Sequence, residues 1–565
     1  MPAQITHEQL RNLGALPEFV GALAASDEPG LAVGVYTDGE LAAAATAGCA
    51  VVEHSVPVTE RTMFDIASVS KHMTATCLLL LARDGHFDLD ADISASLPEL
   101  RLSQPVTFRQ CLTHTAGLRD YFGLCDIAGI GVLGITEERF MDLAVGQADL
   151  DFPPGSAFSY SNTGYALAAV LVRRLTGMGL ARFASERVFG PLGMTATHFR
   201  DDVSLLVPGL AAGYVVAPAG HGSGFRRYDV TEEVVGDGAV VTTLADLGPW
   251  HGFMTSGAVL GAEIRDGLLA RQVLTDGTRL GYALGLEAIE VGDSAAWWHS
   301  GSWAGYRAAV IYLPDLRAGV TVLANRNDHF ASYVAFAVAA VLTGGGDLAT
   351  AHRVLTGEPA PAERSRLEAP AIAGLWHEPD QDAFAEFYLA SSEPGPAQLV
   401  LRDPGGDLRF QLGDDGSWHG IGSAGGGTYT LHGSTLIAKS GLFGRPDGRF
   451  MRVEPSAHSS PPSAVAGIFF NEELRAYAAI RAGESGSAEI SIGLAAPRTL
   501  IRVGDGLWRG MGSGQPGGSA PITVRFAEGN TALLISAPGA RRIRFERVTG
   551  VTTEPNLMRG LRGAK

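Results

Sequence analysis

A chain of 565 residues exceeds what one hydrophobic core supports and predicts two to four domains. Hydrophobic content of 46%, charged content of 18% and a net charge of −17 fit a folded soluble protein and exclude a nucleic-acid backbone as a partner. Cys49, Cys77, Cys111 and Cys125 all fall in the first quarter without CxxC spacing, so no metal site and no redox pair are expected.

The N-terminal "MPAQITHEQLRNLG" has no basic stretch followed by an apolar one, so no secretion signal is read there. The longest apolar run, "CLLLLA", is too short to span a bilayer, and no membrane partner is expected. Reduced, buried thiols in a cytoplasmic protein are the corresponding expectation.

The first strands are read at 31–48, "LAVGVYTDGELAAAATAG", two runs of small and β-branched residues around an Asp-Gly turn. A helix is expected from Ser68 to Gly85, with Met73, Cys77, Leu80 and Leu81 as its apolar stripe and a glycine suited to a left-handed cap at its end. Further helices are expected across 104–200. Strands return over 281–324 as "GYALGLEAIE", "AAWWHS", "YRAAVIYLP" and "AGVTVLANR", an antiparallel meander closed by a helix at 331–343.

Beyond residue 345 the stretch 346–369 is rich in Gly, Pro, Ala and charge and reads as a linker. The chain then repeats itself. "AIAGLWHE" at 371 returns as "AVAGIFFNE" at 464, "DGSWHGIGS" at 415 as "DGLWRGMGS" at 505, and "RFMRV" at 449 as "RFERV" at 544. Three ordered matches at nearly one offset predict two homologous modules, 370–458 and 459–565. Short alternating segments between glycines make each a small antiparallel barrel, which closes its own sheet edges.

Three short motifs carry chemistry. In 64–75, "FDIASVSKHMTA", Ser68 and Lys71 are one helical turn apart on one face, so the amine can take the hydroxyl proton once burial lowers its pKa. In 157–165, "AFSYSNTGY", Tyr160 can relay that proton to a leaving group, and Asn162 can hold both Lys71 and a substrate carbonyl. In 294–307, "SAAWWHSGSWAGYR", His299 and Gly301 lie at a strand end, where the glycine keeps the strand clear for substrate. Each motif alone is common. His114 in "THTAGL" is read as structural, and Asp65 and Asp120 as cap or turn residues.

SxxK, then YxN 92 residues after Ser68, then HxG 231 residues after it resemble the serine β-lactamase and penicillin-binding-protein group of hydrolases. "PVTFRQCLTHTAGLRDY" (105–121) and "GDGAVVTTLADLGPW" (236–250) are similar to two further blocks of that group. The resemblance covers roughly 30–345. It implies an α+β fold, an antiparallel sheet flanked by helices plus a helical subdomain, for a catalytic domain spanning 1–345. It implies no cofactor and no metal. It also implies that Ser68, Lys71, Tyr160, Asn162 and His299 are catalytic, with the backbone N–H groups of Ser68 and Ser302 as the oxyanion hole beside Gly301.

Most of the group carries Lys-Thr/Ser-Gly where this chain has His299, Ser300 and Gly301. An imidazole is a weaker permanent anchor for a carboxylate than an ammonium, which argues away from β-lactams and free-carboxylate peptides. A histidine in the third motif plus two barrels, lipocalin-like with eight strands each, looks like the D-stereospecific aminopeptidase branch. That implies an acyl-enzyme route, release of an N-terminal D-residue from a small peptide, amide or ester substrate, and a homodimer. It also implies a barrel loop in the active site, for which 512–520 is the candidate. A carboxylesterase or other amide hydrolase of the same superfamily is the alternative, and a non-catalytic binding protein is a third. The two tryptophans before His299 are candidates to line an acyl pocket.

Overall fold

The computed structural model describes residues 12–217, 224–327, 330–355, 363–379, 382–390, 398–401, 408–412, 416–420, 428–439, 448–453, 466–482, 488–493, 495–504, 506–511 and 521–548. Six antiparallel strands form the central sheet: β1 (Leu31–Thr37), β2 (Glu40–Ala47), β3 (Glu287–Val291), β4 (Ser294–Trp303), β5 (Tyr306–Leu313) and β6 (Ala318–Ala324). Their spatial order is β3-β4-β5-β6-β1-β2, so the chain's first hairpin completes the meander of its later strands. Both faces of the sheet are covered, which is why β5 and β6 are buried at every position. Tyr306, Ala308, Val310 and Tyr312 face one core, while Ala309, Ile311 and Leu313 face the other.

The helices that matter for the site are α1 (Lys71–Arg83), α2 (Tyr121–Ala128), α3 (Thr163–Thr176), α4 (Leu244–Ser256) and α5 (Phe330–Leu342). The first four pack in the core on one face of the sheet, and α5 packs on the opposite face. The end of α1 follows the sequence: Gly85 takes φ +78°, and His86 N–H donates to the Leu81 carbonyl at 3.0 Å. Its start differs from expectation. Ser68 lies on a tight 3₁₀ turn, Ala67–Ser70, that precedes the helix. Ala67 is at φ +47°, and Asp65 Oδ1 accepts its N–H at 2.7 Å, so Asp65 is the turn residue expected.

The strand expected from 281 begins only at Glu287. Gly285, at φ +82°, breaks it where the chain crosses α1, since a Cβ there would stand 2.5 Å from the His72 nitrogen. Part of the segment read as a linker is helical, at Leu348–Leu355 and Glu363–Ile372.

Two closed eight-stranded barrels follow, with strands spanning Gly374–Val453 and Gly467–Arg547. The repeated segments fall on the first, fifth and eighth strands of each barrel, and first and eighth strands pair to close it. The barrels are tied to each other through buried Asp382, whose Oδ1 accepts from Arg525 at 2.6 Å. The second barrel continues the core around α2, through Leu533, Ile535 and Ala540. Its turn at Pro538–Gly539 reaches the start of α2, where the Gly539 carbonyl accepts the Asp120 N–H at 2.6 Å. The candidate loop 512–520 lies outside the described residues.

Candidate active site

The tight turn leaves Ser68 half-buried while Ala67, Val69 and Ser70 around it are buried. Lys71, the first residue of α1, is wholly buried. Its Nζ lies 3.0 Å from Ser68 Oγ, 2.8 Å from Asn162 Oδ1 and 2.6 Å from the Asp237 carbonyl. Burial pushes its pKa down to about 8, with the carboxylates of Asp237 and Asp120 pulling the other way. The ammonium also sits 5.0 Å from the centre of the Tyr160 ring.

Asn162 is fixed by its other side. Its Nδ2 donates to Asp120 Oδ2 at 3.2 Å and its backbone N–H to Asp120 Oδ1 at 3.0 Å, which sets which amide atom faces Lys71. The amide therefore joins Lys71 to Asp120, and Asn162 also lines the cleft. Asp120 precedes α2 but makes no side-chain cap bond to it. Burial raises its pKa to about 7, against the hydrogen bonds from Asn162.

The Tyr160 hydroxyl hydrogen-bonds Ser68, and burial pushes it above the ordinary phenol range, so it stays a phenol at neutral pH. His114 stacks against it with centroids 4.2 Å apart. Both His114 nitrogens are engaged: Nδ1 accepts the Ser161 N–H at 3.1 Å, and Nε2 meets the Tyr282 hydroxyl at 3.2 Å. The Tyr282 hydroxyl is also 3.0 Å from Nε2 of His299, whose Nδ1 is 2.6 Å from the Ser300 carbonyl. A carbonyl only accepts, so His299 Nδ1 carries the proton and Nε2 takes the Tyr282 hydrogen. The direction continues backwards: His114 Nε2–H donates to the Tyr282 oxygen. Burial, with the Lys71 cation nearby, drives the His299 pKa down to about 3. His299 is thus a neutral ring held in one tautomer.

β3 pairs with β4 only as far as Trp298, so from His299 to Trp303 one side of β4 is free of β3 and borders the cleft. Gly301 has a packing reason beyond clearing that edge. A Cβ there would stand 2.1 Å from the Ile66 carbonyl, so only glycine lets β4 approach the turn that carries Ser68. The cleft has a volume of about 300 Å³, and Ser68, Tyr160, Asn162, His299 and Ser302 all line it. Trp298 does not serve as an acyl-pocket wall. It is buried on the far face, stacks edge-on with Phe336 of α5, and donates to Glu287 at 3.0 Å. Trp303 lines the cleft instead.

The five expected catalytic residues and Ser302 therefore converge. Sequence reasoning missed Asp237, Glu232, Tyr282 and the reach of Asp120. Asp237 stood inside a quoted glycine-rich block, but its contribution to Lys71 is a backbone carbonyl, which residue type does not reveal. The four cysteines are buried free thiols. No helix among the described residues is long and apolar enough to cross a membrane.

The beta-lactamase family model matches residues 18–343. The D-aminopeptidase of Cereibacter sphaeroides strain KD131 is 28% identical over 550 residues, covering 95% of this chain and 98% of that protein. The D-aminopeptidase of Gluconobacter oxydans strain 621H is 27% identical over 376 residues, 66% of this chain and 67% of that protein. Among solved structures, the octameric penicillin-binding protein homologue from Pyrococcus abyssi shares the fold with a TM-score of 0.54 at 18% identity, covering 87% of this chain and 99% of that one.

Proposed function

We propose, from the premise that the chain belongs to the beta-lactamase family, that this serine hydrolase forms an acyl-enzyme on Ser68 and releases an N-terminal D-amino acid from short peptides, amides or esters. The observation that carries the mechanism is the convergence of Ser68 Oγ, Lys71 Nζ and the Tyr160 hydroxyl at one end of the cleft. Neutral Lys71 takes the Ser68 proton as Oγ attacks the carbonyl. The oxyanion forms against the N–H groups of Ser68 and Ser302. Tyr160, a phenol bonded to Ser68, passes the proton to the departing amine or alcohol. Water then repeats the sequence to free the acid and restore Ser68.

Support for the substrate class comes from the neutral His299, which offers no cation for a free carboxylate, and from D-aminopeptidase relatives that match nearly the whole chain. We place the catalytic unit at 1–345, the linker at 346–369 and the barrels at 370–458 and 459–565, boundaries supported by where the barrel strands begin and end. The test is a panel of D- and L-alanyl p-nitroanilides, a β-lactam and a simple ester. Turnover of the D-alanyl substrate well above its L-form and the β-lactam is expected. Turnover of the ester alone would move the carboxylesterase alternative ahead.

A further inference from the structure

We infer that Glu232 is the specificity residue of this cleft and that its Oε1 receives a primary ammonium on the substrate. This deepens the aminopeptidase reading and rests on it. Glu232 is 5% exposed and lines the same cavity as Ser68 and His299. One carboxylate oxygen is fully used: Oε2 accepts from Trp303 Nε1 at 3.0 Å and from the Thr231 N–H at 3.1 Å. These bonds hold the side chain in place beside Ser302, whose neighbour is Trp303. The other oxygen, Oε1, is buried without a hydrogen-bond partner among the described residues.

A buried acceptor left unmade is costly, and a buried carboxylate more so, unless a ligand completes it. The ligand's sign follows from its surroundings. The described cavity lining includes Glu232 and Asp237 but no arginine or lysine. Burial raises the pKa of both acids; at Glu232 the Asp237 charge adds to the rise, whereas at Asp237 the Lys71 cation opposes it. A substrate ammonium supplies positive charge and a donor for Oε1. An N-acylated substrate supplies neither charge nor a strong donor, so the site rejects blocked amines by leaving Oε1 unpaired. Aromatic Phe122 and Trp303, 4.8 Å apart in the same lining, shield the pair from water.

The experiment compares wild type with Glu232→Gln on D-alanyl p-nitroanilide and its N-acetyl form. Thermal melting confirms that the variant is folded, and Trp303→Phe reports the effect of breaking only the indole contact. The ratio of kcat/KM for the free amine over the blocked amine is expected to fall by about tenfold to a hundredfold in Glu232→Gln, mostly through KM, and to fall less in Trp303→Phe, which keeps the carboxylate but loses one bond that positions it. An unchanged ratio in Glu232→Gln, or an equal fall in Trp303→Phe, overturns the assignment. If wild type cleaves neither anilide, the aminopeptidase reading has failed, and inhibition of p-nitrophenyl acetate hydrolysis by D-alaninamide decides the site. Weaker inhibition of the variant than of wild type supports the ammonium site; equal inhibition, or none of wild type, overturns it.

Discussion

The Asp237 carbonyl oxygen stands 2.6 Å from Nζ of Lys71, and Asn162 Oδ1 makes a second contact at 2.8 Å. Both partners only accept. When Lys71 is neutral they hold its two hydrogens, and the lone pair is left pointing at Ser68 Oγ, 3.0 Å away. A backbone atom and an amide thus aim a base that the sequence motif identifies only by spacing.

Lys71 must lose its proton to act, and burial sets its pKa at about 8. With p-nitrophenyl acetate, which carries no ammonium to titrate, kcat/KM is therefore expected to rise with pH, reach half its plateau near 8, and lie roughly a hundredfold below the plateau two units lower. The Asp237 carboxylate raises the Lys71 pKa, so Asp237→Asn should shift the midpoint to lower pH. A pH–rate series on both proteins checks the direction. A midpoint that moves up, or a flat profile, is inconsistent with Lys71 as the base.

Tyr282 bonds both His299, whose Nδ1 proton lies on the Ser300 carbonyl, and His114, which packs against Tyr160. Tyr282→Phe removes that hydroxyl from two buried imidazoles, for a stability loss of about 2 kcal/mol and a fall in kcat of about tenfold. Nitrogen-15 NMR of labelled histidines reads the cause directly. In wild type the His299 proton is expected on Nδ1, and in the variant that preference should weaken. A wild-type His299 protonated on Nε2 would refute the chain of bonds.

The second barrel bears on the base through Gly539. Its φ of +73° is open to glycine, and an added Cβ would stand 2.5 Å from Asp120 Cβ. Gly539→Ala should displace Asp120, loosen Asn162, and lower kcat. Gly529→Ala is the control, because its φ of +68° carries similar strain while its nearest contact is a Thr531 methyl at 3.9 Å. Steady-state kinetics on the two variants should separate them. Equal losses would mean that backbone strain, not the contact with Asp120, is responsible.

Much of the architecture was legible because it follows from local pattern. Alternating small and β-branched residues marked the hairpin at 31–47, and the glycine after α1 marked its end. The repeated segments placed the barrels because equivalent strands keep equivalent sequences. What stayed hidden depends on contacts between distant residues. Ser68 left the helix because Asp65 and the positive φ of Ala67 tighten the turn. Gly301 reads as clearance for substrate, and only the fold adds the Ile66 carbonyl, which also requires a glycine there. Asp120 reads as a cap or turn residue, and only the fold brings Asn162 and Gly539 onto it. Glu232 had no motif around it at all.

The most direct measurement is the mass of the protein during turnover of a D-alanyl ester, taken by rapid acid quench. One D-alanyl adduct is expected, mapped by peptide digestion to Ser68, and no adduct in Ser68→Ala, whose turnover should drop by several orders of magnitude with the fold intact. An adduct on another residue, or undiminished turnover by Ser68→Ala, would contradict an acyl-enzyme on Ser68.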